Sequence, residues 1–387
     1  MKVHYILIIT FFCISCSTET SQQEVSETPN EYKPLPNELV RTIIIPNDTI
    51  LGLSGNIDIG FEGSREVIYT TSLMSNIIEN YDLKDGTFLK STTINTDPAL
   101  FNVPLRDIVR VQEDSVFLFG FGQRIFLVDN EMRVINKWDF SQIIQPTDQS
   151  ATVEALNMQG SVFINNGFLY IRIWPQNTVF SDKLFYEKPF VLEYDIANNK
   201  VTRQLGYFPD FMAENSDEFF YNEHQFSWLK SNSDKNKLLV SFRRSHDLMV
   251  LDLETEEQNY VHARSNFLDK FPLIPRDQQA QLDHDPMVTN GAYRHLLYDS
   301  YREVYYRIVS HDQDQINPLT NSRNHPVYRP YSIIVLDKDL NYLGESTIEN
   351  YKRISFLSAT VCSEGLIFGV NDEDESVVTF DIIKIAI

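Results

Sequence analysis

Hydrophobic and polar residues alternate along most of the chain from residue 39 onward, and Gly, Asn and Asp interrupt the alternation at short intervals. Alternation with a period of two is typical of β-strands that bury one face. Six of the expected strands combine bulky hydrophobic residues with an Asp, and a tight polar turn is expected to follow. They are IENYDLKDG (78–86), FLVDNE (126–131), VLEYDIANN (191–199), LMVLDLETE (248–256), IIVLDKDLN (333–341) and VVTFDIIKI (377–385). Six copies of one unit predict an all-β fold, a six-bladed β-propeller.

The two chain ends are predicted to close this ring together. Each blade divides into four strands except the last, which ends after VVTFDIIKI and lacks an outer strand. The segment ELVRTIIIP (38–46) precedes blade one and belongs to none of its strands. We expect it to supply the missing strand and so remove an exposed sheet edge. The repeated Asp residues are expected to accept backbone N–H groups of the following turns, a structural role.

The N-terminus predicts an anchored, exported protein. Residues 1–16 contain Lys2, then an apolar run too short to span a bilayer, and then Ser15-Cys16. This pattern is typical of a lipoprotein signal peptide with a lipobox, in which Cys16 is acylated; an ordinary secretory signal is the alternative. Residues 17–37 are polar with scattered Pro, as in a flexible tether. Residues 38–387 form the propeller domain. A lipid-anchored protein lies on a membrane without crossing it.

Charge narrows the choice of partners. The chain carries a formal net charge of −21, which argues against nucleic acid and anionic lipid head groups, because both bind surfaces rich in Lys and Arg. Besides Cys16, the predicted mature chain has only Cys362, so no intrachain disulfide is expected. Cys362 lies in an apolar strand and is expected to be a small buried hydrophobic residue. No cofactor is predicted.

Loop lengths predict where function lies. Turns between strands one and two, and between three and four, are short in every blade, whereas all the long connections link strand two to three or one blade to the next. In a propeller those two classes emerge on the same face. The long connections are 141–157, 174–189, 207–223, 264–290 and 311–330. Binding residues concentrate on long loops held by a rigid scaffold, so this face and the channel mouth are the expected site.

Eight residues are candidates for ligand binding on that face: Arg172, Trp174, His224, Arg243, Arg244, His246, Asp283 and His284. Arg beside Trp on a concave surface suits a carboxylate, a sugar ring or a peptide terminus. Each candidate also has a structural interpretation. Asp283-His284-Asp285 and the acidic turn around Asp312 can be solvated loops, and one of the adjacent arginines can brace a loop through a carboxylate.

The sequence carries no catalytic signature of the types G-x-S-x-G, H-E-x-x-H or Cys-x-x-Cys, and no metal site is predicted. Ser15-Cys16, the polar tether and the repeated YDL and VLD strand ends resemble the TolB-like six-bladed β-propeller lipoproteins of Gram-negative bacteria, a family built on a domain of unknown function. The resemblance implies the fold and a location in the cell envelope, on the outer membrane and facing either the periplasm or the cell surface. It carries over no catalytic residue.

Three functions remain open. The first is a non-catalytic propeller that binds a peptide, a glycan or a partner protein of the envelope through its long-loop face. The second is a metal-assisted glycan or peptide hydrolase or lyase, with His224, His246, His284 and Arg243 around the central channel. The third is a structural subunit of an envelope complex.

Overall fold

A computed structural model describes most of the chain. The described residues are 31–46, 57–71, 77–93, 105–112, 115–120, 124–129, 133–140, 151–153, 162–175, 182–214, 227–232, 234–271, 285–326, 329–348, 354–370, 374 and 376–387. They form six antiparallel sheets, each a blade of the propeller. The fold predicted from the repeated strand ends is therefore confirmed.

The strands follow the predicted blades closely. Blade one contains β2 (Ile57–Glu62), β3 (Arg65–Thr71), β4 (Ile77–Asp82) and β5 (Phe88–Thr93), and blade two contains β6 (Leu105–Gln112), β7 (Ser115–Gly120), β8 (Arg124–Val128) and β9 (Val134–Asp139). Blade three contains β10 (Ala151–Val153), β11 (Val162–Asn165), β12 (Phe168–Pro175), β13 (Pro189–Asp195) and β14 (Lys200–Tyr207). Blade four contains β15 (Ser227–Ser231), β16 (Lys237–Phe242), β17 (Asp247–Asp252) and β18 (Gln258–His262). Blade five contains β19 (Ala292–Asp299), β20 (Val304–Ser310), β21 (Tyr331–Asp337) and β22 (Tyr342–Ile348). Blade six contains β23 (Ile354–Val361), β24 (Leu366–Val370), β25 (Val377–Ile385) and, from the N-terminal end, β1 (Asn37–Pro46).

Helices are short and lie in the long connections: α1 (Lys183–Tyr186), α2 (Asp210–Glu214) and α3 (Pro286–Thr289). Within the described residues, no helix is long and apolar enough to cross a membrane.

Buried side chains of the described residues form six hydrophobic clusters, and each cluster lies between two neighbouring blades. Strand β20 shows how the sequence produces this. Tyr305 and Val309 pack towards blade four, whereas Tyr306 and Ile308 pack towards blade six. Side chains alternate between the faces of a strand, so one apolar run serves two interfaces. Arg307 shares the blade-four face with Tyr305 and Val309.

The predicted closure of the ring is confirmed. Strand β1 pairs antiparallel with β25, from Asn37 opposite Ile385 to Pro46 opposite Val377. A bulge between Leu39 and Arg41 re-aims the Arg41 side chain. Its guanidinium donates to both carboxylate oxygens of Glu364 and to the carbonyls of Leu83 and Lys84. Arg41 thus joins the N-terminal strand to turns of blades six and one.

The N-terminal segment meets the propeller before β1 begins. Leu35 donates its N–H to the carbonyl of Glu345 at 3.0 Å, and the Glu345 N–H donates to the carbonyl of Lys33 at 2.9 Å. Residues 33–35 therefore lie along β22 of blade five. The remainder of the expected tether, up to residue 30, and the signal peptide with Cys16 lie outside the described residues.

Five of the six repeated Asp residues close a turn as expected, each accepting a backbone N–H at 2.8–2.9 Å. The pairs are Asp82 with Lys84, Asp129 with Arg133, Asp195 with Asn198, Asp252 with Glu254, and Asp337 with Asp339. The expectation is wrong for Asp381. This residue is buried within β25, where it accepts the Thr42 hydroxyl of β1 at 2.6 Å. A side chain inside a strand has no following turn to close, so Asp381 binds the closing strand.

The connection predicted over 141–157 contains a strand. Residues Ala151–Val153 form β10, which pairs with the last residues of β12, opposite Ile173 to Pro175. The cause is a difference in length. Strand β12 has eight residues and β11 has four, so β11 covers only the first half of β12 and β10 pairs with the rest.

Candidate functional site

The long connections begin and end at one edge of the blades, as the loop lengths predicted. In blades three, four and five the turns between strands three and four are short, whereas the long segments follow strand two or strand four. Those segments are 176–188, 208–226, 263–291 and 311–330. The ends of strands two and four and the starts of strands one and three share an edge in an antiparallel blade. We call the surface of the propeller at this edge the long-loop face.

The turn 243–246 of blade four lies on this face, where the sequence placed it. Strand β16 ends at Phe242 and β17 begins at Asp247. Both arginines of the turn are buried, since Arg243 is 7% exposed and Arg244 is 1% exposed. Two neighbouring guanidinium groups are therefore buried at a strand end, an arrangement that hydrophobic packing alone does not explain.

Arg307 holds this turn against blade five. Its side chain is fully buried and donates to the carbonyls of Ser245 at 2.6 Å and His246 at 2.8 Å. It also donates to the Ser241 hydroxyl at 2.9 Å and to the carbonyl of Ala263 at 2.8 Å. The guanidinium lies 3.4 Å from the centre of the Tyr293 ring, a cation–π contact. Arg307 thus fixes the backbone from which Arg243 and Arg244 project.

Two segments of blade five meet the turn 243–246. The Tyr293 N–H donates to the carbonyl of Arg243 at 3.0 Å, which places the start of β19 directly beside the turn. Asp312, after the end of β20, accepts the Gly291 N–H at 2.6 Å. Asp312 also lies close enough to Arg244 to favour its charged form. The long-loop ends of blades four and five are therefore in contact.

A bulge in β19 places a third arginine here. The pairing of β19 with β20 shifts between Tyr293 and His295, and Arg294 is the extra residue. Such bulges turn a side chain away from the regular alternation. Arg294 is 7% exposed and donates to the Ser310 hydroxyl at 2.8 Å.

Arg329, which lies just before β21, braces the same region. It is fully buried and donates to the carbonyls of Val288 at 2.8 Å and His311 at 3.1 Å. These bonds join the helix α3 to the segment after β20. Arg329 therefore has a structural role, comparable to that of Arg307.

Asn290 adds a buried donor at the end of α3. It is 7% exposed, and its Oδ1 accepts the Thr289 hydroxyl at 3.1 Å. Its amide nitrogen Nδ2 is buried and has no hydrogen-bond partner among the residues that the structure describes. Gly291, whose N–H binds Asp312, is the next residue. We call Arg243, Arg244, Asn290 and Arg294 the mouth cluster.

The mouth cluster is positively charged at neutral pH. Burial lowers the pKa of Arg243 and of Arg244 to about 10 in each case, which leaves both guanidinium groups protonated at pH 7. Burial, with Lys230 and Arg243 nearby, lowers the pKa of His295 to about 3, so this imidazole is neutral. A chain with a net charge of −21 thus concentrates buried cations at one point of the long-loop face.

Residues 63–347 match the model of the family DUF4221, a domain of unknown function. This chain belongs to the DUF4221 family. A crystal structure of a DUF4221 member from Bacteroides vulgatus ATCC 8482 is 17% identical, with a TM-score of 0.72 over 92% of this chain and 99% of that one. A protein from Bacteroides fragilis NCTC 9343 is 8% identical, with a TM-score of 0.52 over 91% of this chain and 96% of that one. At these identities the likeness shows the fold alone. A search of curated proteins found no match.

The expected resemblance to a propeller family with a domain of unknown function is confirmed by the DUF4221 match. Of the eight candidate binding residues, the structure brings together Arg243 and Arg244. His246 lies apart from them, since its Nδ1 is 2.8 Å from the Tyr293 hydroxyl and its ring packs on Phe271. Burial and the neighbouring Arg307 lower the pKa of His246 to about 4.

Arg172 lies within β12 of blade three rather than in a loop, opposite Val191, and is 1% exposed. The backbone of Trp174 also belongs to β12, opposite Thr152, and its side chain lies outside what the structure describes. His224, Asp283 and His284 lie outside the described residues. Among the residues that are described, no group of three His, Cys, Asp or Glu side chains could hold a metal ion.

Sequence reasoning missed Asn290, Arg294, Arg307 and Arg329. A signal for two of them was present, because AYRHLLYD and VYYRIVS each place an Arg inside an otherwise apolar and aromatic strand. Such an Arg is rarely buried without a partner. For Asn290 and Arg329 the sequence holds no comparable signal, since both lie in loops where polar residues are ordinary.

Proposed function

We propose that this protein is a non-catalytic binding propeller, anchored in the cell envelope through a lipid on Cys16, that holds a peptide, a glycan or a partner protein on its long-loop face. The observation that carries the proposal is the mouth cluster. Buried, charged donors gather on the face that bears the long connections, at the junction of blades four and five. Buried ionisable groups gathered on one face favour a role in recognition.

The local scaffold supports recognition by a preformed site. Arg307 and Arg329 hold the backbone around the mouth cluster through short hydrogen bonds to carbonyl groups. A binding site whose groups are already fixed loses little conformational entropy when its ligand arrives. The backbone that carries the mouth cluster is therefore held by Arg307 and Arg329, which would not contact the ligand themselves.

Binding is tested on arrays of peptides and of glycans with the secreted domain. We expect one array to show a ligand, and we expect the variants Arg243→Gln and Asn290→Ala to weaken its binding at least tenfold. The matched control is Arg133→Gln, an exposed residue of the short turn after β8 in blade two. Equal weakening by the control, or undiminished binding by both mouth variants, would contradict the proposal.

The anchor is tested separately by cell fractionation. We expect the wild-type protein in the membrane fraction and the Cys16→Ser variant in the soluble fraction, because the variant cannot be acylated. A variant that remains with the membranes would show that lipidation of Cys16 does not hold the protein there.

A further inference from the structure

The mouth cluster consists of hydrogen-bond donors. Arg243, Arg244 and Arg294 contribute guanidinium groups, which donate and do not accept. In Asn290 the oxygen already accepts the Thr289 hydroxyl, so that the free capacity of this side chain is the donor Nδ2. Because that nitrogen is buried without a partner, it bears the cost of an unmade hydrogen bond.

The cluster keeps a small exposure to solvent. Arg243, Asn290 and Arg294 are each 7% exposed, and Arg244 is 1% exposed. The adjacent Gly291 leaves no space for a larger residue, since a Cβ there would lie 2.3 Å from a side-chain atom of Leu268 and 2.7 Å from the carbonyl oxygen of Ser310. Because so little of the four side chains is exposed, a ligand group that reaches them has to be small.

We propose that the mouth cluster is a binding site for a carboxylate, whose oxygens accept hydrogen bonds from the guanidinium groups and from Asn290 Nδ2. This inference rests on the proposed function, because it takes the same cluster as the binding site. A carboxylate matches the planar fork of Arg and can accept from several donors at once. It also satisfies the amide nitrogen that the protein leaves without a partner.

The net charge of the chain favours a ligand with a single negative charge. Outside the cluster the propeller carries a large excess of Asp and Glu, and this field repels polyanions. A ligand with one carboxylate on an otherwise neutral body meets less repulsion on approach and is still bound by the buried cations. Two sources supply such a group: the C-terminus of a peptide and a uronic acid of a glycan.

Matched pairs of small molecules distinguish a carboxylate from its neutral counterpart. The probes are sodium glucuronate against glucose, and acetyl-glycylglycine against its C-terminal amide, with inorganic phosphate as a third arm. The readout is the melting temperature at constant ionic strength, followed by calorimetric titration of any probe that raises it. We expect one or both carboxylates to raise the melting temperature of the wild type and of Arg133→Gln, and their neutral counterparts to leave it unchanged.

The mouth variants decide where the carboxylate binds. We expect Arg243→Gln to weaken its binding at least tenfold and Asn290→Ala to weaken it severalfold. Asn290→Ala removes only the amide that lacks a partner, so it tests the site even where Arg243→Gln fails to fold. The expected responses, whether to glucuronate or to the dipeptide, support the proposal and identify the source of the carboxylate.

Four results would overturn the inference. The wild type shows no rise in melting temperature with either carboxylate, or both mouth variants show the same rise as the wild type. The carboxylate and the neutral probe of a pair bind equally tightly, or phosphate binds more tightly than either carboxylate. The array experiment separates these failures from a failure of the proposed function. If the neutral members bind and the mouth variants abolish that binding, the carboxylate is wrong and the binding face stands. If neither the arrays nor the probes depend on the mouth cluster, both proposals fail.

Discussion

Replacing Arg307 by Met should destabilise the contact between blades four and five more than any change of an exposed arginine. Met fills a similar volume and removes the charge and every donor. Four hydrogen bonds of 2.6–2.9 Å disappear, three of them to backbone carbonyls that remain buried. The contact of the guanidinium with the Tyr293 ring at 3.4 Å is lost as well.

The magnitude follows from the acceptors that are left behind. A buried acceptor without a donor costs roughly 1–3 kcal/mol, and such costs are not additive within one network, so that about 4 kcal/mol is expected for the three carbonyls together. The entropy of unfolding is about 2.1 cal/mol/K per residue, which gives roughly 0.7 kcal/mol/K for a propeller of about 350 residues. A loss of 4 kcal/mol then lowers the melting temperature by about 6 °C.

The assay is differential scanning calorimetry on the secreted domain at neutral pH. Arg307→Lys keeps the charge and reaches fewer carbonyls, so we expect about half of the loss. Arg133→Met is the matched control, because this arginine is 72% exposed and should change the free energy of unfolding by less than about 0.5 kcal/mol. A melting temperature of Arg307→Met equal to that of the control would refute the bracing role of Arg307.

Deleting residues 38–46 removes β1 and exposes β25, so we expect a secreted domain that aggregates, and an unchanged melting temperature would show that β1 is not needed. Gly86→Ala should lower the free energy of unfolding by about 2–5 kcal/mol in a denaturant titration, since φ is +75° and the new Cβ would lie 2.5 Å from the Ile44 carbonyl oxygen. Gly63→Ala is the control and should cost about 1 kcal/mol, because φ is +65° there and the space around it is open. Burial lowers the pKa of His295 to about 3 from 6.5, so its contribution to stability is complete above pH 6.5 and is lost as pH falls towards 3. The melting temperature should therefore fall less steeply in His295→Gln than in wild type between about pH 6.5 and 4.5, and parallel curves would contradict this.

Local repetition made the fold predictable. The repeated strand ends established the number of blades, and the unassigned segment 38–46 showed which strand completes the last one. The interpretation of Asp381 failed because this residue is followed by Ile382 and Ile383 inside β25 rather than by a polar turn, and its partner Thr42 lies near the opposite end of the chain. Strand β10 was missed because it forms only where β12 extends beyond the end of β11. That difference in strand length is a property of the folded sheet and is not visible in the sequence of residues 151–153.

The sequence was enough to predict where Arg243 and Arg244 lie in the fold, but not that their side chains are buried. The sequence placed Arg243 and Arg244 in the turn after β16, on the correct face. They are buried where their turn packs against blade five, and Arg307, about sixty residues further along the chain, holds that turn from the next blade. Asn290 became a candidate only through its unpartnered nitrogen, which is a property of the folded chain.

Hydrogen exchange measured by mass spectrometry, with and without the array member that binds most tightly, tests the binding face most directly. We expect slower exchange on the long-loop face of blades four and five, in residues 243–246, 290–294 and 310–312. Slower exchange confined to the opposite face, in the turns 83–87, 196–199 and 253–257, would contradict it.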